Sequence, residues 1–199
     1  MRWHKFISTV LHPIVIPTIG IILYFIFTPI NLSRHQQYTI LGIVFVTTYV
    51  IPLLLLIILK SLGYIKSFQV HGINERKVPI FLMMTLLYML GNFFTKTAII
   101  KDLSFLFFGV VFGLGIVYIL FITKIKTSLH LLSMGATLGY FLLFNQLYNV
   151  NVLPLILTLV SLSGLLASSR LHLKAHTYNE VYLGFFIGLL SPFLAYFIL

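Results

Sequence analysis

Seven apolar runs, each separated from the next by a short polar connection, account for most of the chain. They lie at about 11–30, 38–62, 79–95, 102–123, 128–147, 152–168 and 180–199. Each is continuously apolar rather than alternating, which predicts helices and excludes the strands of a membrane barrel. At 1.5 Å per residue, about 20 residues cross a hydrocarbon core of about 30 Å. The third and sixth runs, at about 17 residues, are marginal by that measure. The expected fold is therefore an all-α, polytopic transmembrane bundle of six or seven spans, a single domain over residues 1–199. Pro13, Pro17 and Pro52 fall in or near the runs and read as kinks whose freed carbonyls are satisfied by neighbouring helices.

Composition agrees with this pattern. Hydrophobic residues make up 60% of the 199-residue chain and charged residues 8%, against roughly 25% charged in a soluble domain. The formal charge of +10 would suggest nucleic acid in a soluble protein. Here the basic residues sit in the connections, so anionic headgroups and membrane topology explain them, and no nucleic-acid partner is expected. No cysteine is present, which excludes disulfides, thiolate metal sites and cysteine nucleophiles. The start, MRWHKFISTVLHP, has the basic character of a signal-peptide n-region. The apolar run behind it is long and the first alanine is Ala98, so the segment is expected to be retained. Seven crossings would put the N-terminus and the connections 60–78, 124–127 and 169–179 on one face. Ten of the 13 basic residues lie there; Arg34, Lys96 and Lys101 lie on the other. The positive-inside rule points that face toward the cytoplasm.

The same three connections hold most of the remaining polar chemistry. In SSRLHLKAHTYNE, His176 and Glu180 are four apart, so a helix starting near 175 would pair them. A carboxylate against imidazole fixes its tautomer and stabilises its cation, as a nucleophile or general base requires. Arg170 offers a planar fork for phosphate or carboxylate. Ser128 and the amide of Leu129 open a run, where unpaired backbone N–H groups attract anions, and His130 follows. In GINERKVP, Arg76 and Lys77 precede Pro79, which is expected to open a helix. His172 and His176 are also four apart, so a metal site completed by His130 and Glu180 is an alternative.

Together these stretches resemble the type 2 phosphatidic acid phosphatase superfamily, the lipid phosphate phosphatases and their relatives. Ser169-Arg170 through His176 to Glu180 has the form S-R-x5-H-x3-E, where the family carries aspartate last. T-S-L-H at 127–130 stands where the family has P-S-G-H. The family's K-x6-R-P is represented by Arg76, three residues before Pro79. Gln69 stands at the lysine position, and Lys66 or Lys77 is the nearby cation that would replace it. The resemblance implies a metal-independent, cofactor-free hydrolase of a lipid phosphate or polyprenyl pyrophosphate in the bacterial inner membrane. Members of that family in bacteria commonly face away from the cytoplasm, so the face stays open. By the same resemblance His176 attacks phosphorus to give a phosphohistidine, Glu180 orients it and His130 protonates the leaving oxygen. Arg76, Ser128, Leu129 and Arg170, with Lys66 or Lys77, hold the phosphoryl oxygens. The alternatives are a non-catalytic lipid-phosphate binder or transporter of the same fold, and a histidine-rich membrane metalloenzyme.

Overall fold

A computed structural model describes residues 2–67 and 72–199. Among them the chain is all-α, with no strand. Eight helices follow one another: α1 (Arg2–Val10), α2 (Ile16–Phe27), α3 (Arg34–Ser61), α4 (Ile73–Thr95), α5 (Leu103–Leu120), α6 (Leu129–Tyr148), α7 (Leu153–His172) and α8 (Tyr178–Ile198). Five of them, α3, α4, α5, α7 and α8, are long and apolar enough to cross a membrane. Many of their large apolar side chains face outward, Leu54, Phe81, Leu157 and Phe197 among them. A bundle in water would hide such side chains; in lipid they meet a matching solvent.

At the centre lies α6. Fourteen of its 20 residues are buried, and it packs most extensively on α8. Small residues make that crossing close. A methyl group added to Gly135 or Gly139 would run into the carbonyl oxygens of Phe185 or Leu189 on α8. One added to Gly184 or Gly188 would meet those of Ser128 or Leu132. Without water to drive apolar association, such backbone proximity is how membrane helices gain packing energy. α8 also crosses α5, where Gly109 admits Pro192.

Helix ends differ from the sequence expectation in three informative places. The first apolar run forms only the 12-residue α2, about 18 Å long. Residues 11–15 are a turn around Pro13, and the basic start is a separate helix, α1. The marginal third and sixth runs are full-length helices of 23 and 20 residues. Hydropathy falls at INERKV and SSRLH, but the backbone ladder continues through them, so Arg76 and Arg170 sit on helices. Pro79 accordingly lies inside α4, not at its start. In α3 a π turn over Val46–Val50 precedes Pro52, with Ile51 N–H bonded to the Val46 carbonyl. The wider turn accommodates a proline that has no N–H to donate.

Candidate functional site

Arg76 from the first turn of α4, Leu129 and His130 from the start of α6, Arg170 from the last turn of α7 and His176 from the α7–α8 connection line one cavity of about 220 Å³. The rest of its wall is mainly apolar, with Pro52, Leu55 and Leu59 from α3 and Phe107, Val110 and Leu114 from α5. Polar groups thus stand at one end of a hydrocarbon-lined space. Lys66 and Lys77 do not line it: Lys66 is exposed beyond the end of α3, and Lys77 lies on α4 away from the cavity wall. Gln69 lies outside the described residues.

α7 ends at His172, and Lys174 adopts a left-handed conformation (φ 53°) that turns the chain back toward the bundle. His176 therefore precedes α8 instead of riding on it. Thr177 is the N-cap, and its hydroxyl accepts the Glu180 N–H at 3.4 Å. The cap, not a shared helical face, brings the Glu180 carboxylate to His176, Nδ1 to Oε2 at 2.6 Å. A carboxylate can only accept, so Nδ1 carries the proton and Nε2 holds the lone pair in the neutral ring. Burial lowers the His176 pKa below the ordinary 6.5; Glu180 opposes the shift, and Arg170 and Arg76 add to it. A buried, oriented, neutral imidazole with a bare Nε2 is a competent nucleophile.

The same turn separates His172 from His176, so they share no helical face. His172 instead stacks on His4 of α1, ring centroids 4.0 Å apart. No three His, Asp or Glu side chains among the described residues gather as a metal-ligand set.

Several groups around the start of α6 lack partners, although Thr127 and Ser128 do not line the cavity. The Arg170 Nε and the hydroxyls of Thr127 and Ser128 are buried without a hydrogen bond among the described residues. Ser128 is the N-cap of α6 yet makes no capping bond with its side chain. The α6 ladder begins with Leu132 N–H on the Ser128 carbonyl at 3.0 Å. The amides of Leu129, His130 and Leu131 consequently have no acceptor within the helix. Unmet donors beside half-buried guanidinium groups suit an oxyanion.

No protein-family model, curated protein or solved structure matches the chain. Its chemistry is read from its own geometry.

That geometry includes residues that the motif reading passed over. α1 lies along α7. Its Ser8 hydroxyl accepts a hydrogen bond from Arg170 Nη1 at 2.8 Å, and its carbonyl accepts one from His130 Nε2 at 3.2 Å. His4 Nδ1 lies 3.2 Å from the Ser169 hydroxyl. His12, in the turn before α2, sits on the cavity wall. One signal was available: Trp3, Phe6 and Val10 at helical spacing among polar residues mark an amphipathic, interfacial helix.

Proposed function

We propose that this chain is an integral membrane phosphohydrolase acting on a lipid phosphate or polyprenyl pyrophosphate through a phosphohistidine. The observation that carries the reading is His176, held at 2.6 Å by Glu180 behind it, on the wall of a cavity that also holds two arginines and apolar side chains. In this reading His176 Nε2 attacks phosphorus and the bond from phosphorus to the leaving oxygen breaks. His130 takes a proton from the substrate's monoanionic phosphoryl group and passes it to that oxygen. Glu180 balances the charge that develops on the His176 ring. Water then attacks the phosphohistidine, His130 passes the water's proton to the departing phosphate, and inorganic phosphate leaves with His176 restored. Arg170, Arg76, Ser128 and the first amides of α6 hold the non-bridging oxygens. Phosphoryl transfer depends mainly on such positioning and charge stabilisation. The apolar wall takes the first part of the substrate's hydrocarbon chain.

In the same proposal α3 to α8 cross the membrane, and residues 11–27 make a seventh, partly irregular crossing. α1 then lies at the interface on the cavity side. With Arg76 and Arg170 set aside as cavity residues, eight basic residues remain at that end against three at the other. The bias favours the cytoplasmic side for this end of the bundle.

Phosphate release from the detergent-solubilised protein, over a panel of lipid phosphates and pyrophosphates, tests the reading. Turnover is expected to be blocked by vanadate and to survive chelators, with an acid-labile phosphoenzyme trapped on His176. Tight binding of the panel without turnover would make the chain a binder instead. Activity lost to chelators would make it a metalloenzyme.

A further inference from the structure

We propose that His12 is a further substrate-contacting residue of this site, its imidazole Nε2–H holding a non-bridging oxygen of the bound phosphoryl group. The inference rests on the phosphohydrolase reading and adds a residue from the turn between α1 and α2 that no motif marks.

His12 lines the same cavity as Arg76, His130, Arg170 and His176. Its placement is built locally. Pro13 restricts the preceding backbone to extended conformations, and the His12 carbonyl accepts the N–H groups of Val15 and Ile16 at 2.8 and 3.1 Å. The side chain is oriented too: Nδ1 accepts the Ile14 N–H at 3.3 Å. A ring nitrogen that accepts is unprotonated, so the proton of the neutral ring is on Nε2. That nitrogen has no hydrogen-bond partner among the described residues.

The other two imidazoles on the wall have already committed theirs. His176 gives Nδ1–H to Glu180. His130 gives Nε2–H to the Ser8 carbonyl, which can only accept. His12 stands edge-on to His130, with ring centroids 4.9 Å apart and planes at 80°. Among the described residues it is the imidazole on this wall with an uncommitted donor. With Nδ1 accepting, the neutral ring is a donor that adds no repulsion beside two arginines. A bound phosphate dianion would favour its cation and strengthen the bond.

The test uses the full chain in detergent, with a lipid phosphate monoester, an aryl phosphate and orthovanadate as probes. His12→Phe keeps a ring against His130 and removes the N–H; His12→Gln restores a donor. A hydrogen bond to a charged group predicts that His12→Phe raises KM and the vanadate inhibition constant about 10- to 100-fold. kcat should change less, by the same factor for both substrates, and His12→Gln should recover most of the loss. Thermal midpoints separate binding defects from loss of fold. Wild-type constants in His12→Phe would overturn the inference alone, leaving the phosphohydrolase reading in place. So would a defect confined to the poorer leaving group, which would make His12 a proton donor, or equal impairment by Phe and Gln. A wild type that neither turns over substrate nor binds vanadate would overturn both.

Discussion

Two buried polar clusters lie along α6, and they are finished differently. Near its C-terminal half, the Asp102 carboxylate accepts the Tyr140 hydroxyl at 2.9 Å and the Tyr24 hydroxyl at 3.2 Å, and Tyr148 joins them. Burial pushes the Asp102 carboxyl above its ordinary range, and the three tyrosines pull it back. At the N-terminal end, about 15 Å away by helix rise from Tyr140 to His130, hydroxyls and an arginine nitrogen are left without partners. A saturated buried cluster ties helices together. An unsaturated one is costly unless something else completes it. α2 joins the two, with Pro17 on the cavity wall and Tyr24 on Asp102. Apart from the Ser104 hydroxyl, which is also without a partner, the contrast fits a structural role at the Asp102 end and the proposed ligand-binding role at the His176 end.

The contrast breaks if a change at one end produces the phenotype assigned to the other. The largest effect is expected from His176→Ala, which should reduce turnover at least about 10⁴-fold, as loss of a nucleophile does, with little change in thermal midpoint. A large fall in midpoint with activity retained would make His176 a packing residue. Asp102→Ala should do the reverse. It leaves buried tyrosine hydroxyls without their acceptor at about 1–3 kcal/mol each, so detergent unfolding should show a loss on the order of 3 kcal/mol. kcat of the surviving fold should stay near wild type; a selective loss of kcat would show that the tyrosine cluster serves the reaction.

Arg170→Lys keeps the charge and loses the planar fork, so kcat/KM should drop roughly 10- to 100-fold. Lys174→Ala, an exposed residue on the same connection, should change it little. Equal effects would reduce Arg170 to a topology charge. The pH profile sharpens the same end. His176 must be neutral to attack, and its pKa is shifted down from 6.5. Activity should therefore hold as pH falls through 6.5 and decline only below it, where the ring protonates. An acid limb at or above 6.5 would place the controlling group elsewhere.

Much of the cavity end was legible in the sequence because charge is scarce. With three acidic residues in the chain, Glu180 beside a histidine in a polar connection signals a partner. Arg76, His130, Arg170 and His176 were expected together and line one cavity. The pairing of His176 with Glu180 was expected from helical spacing, but it arises from the Thr177 cap. Ser8 and His12 were not legible as site residues, since their role depends on a turn at Pro13 that hydropathy reads as the inside of a span. Lys66 and Lys77 were candidates to replace the lysine missing beside Arg76, and neither lines the cavity.

Membrane residence and all-α character followed from the sequence by itself, because a long apolar run must satisfy its own backbone hydrogen bonds. So did the concentration of chemistry in three connections, since charged side chains are costly elsewhere. Tertiary structure decided where α4 starts and α7 ends, that residues 2–12 fold back over the arginine and histidine, and that Tyr24, Tyr140 and Tyr148 close around Asp102. These depend on contacts between residues far apart in the chain, such as Arg170 with Ser8, 162 positions apart. No local hydrophobic period encodes such a contact; it exists only after Gly135, Gly139, Gly184 and Gly188 have let the helices approach.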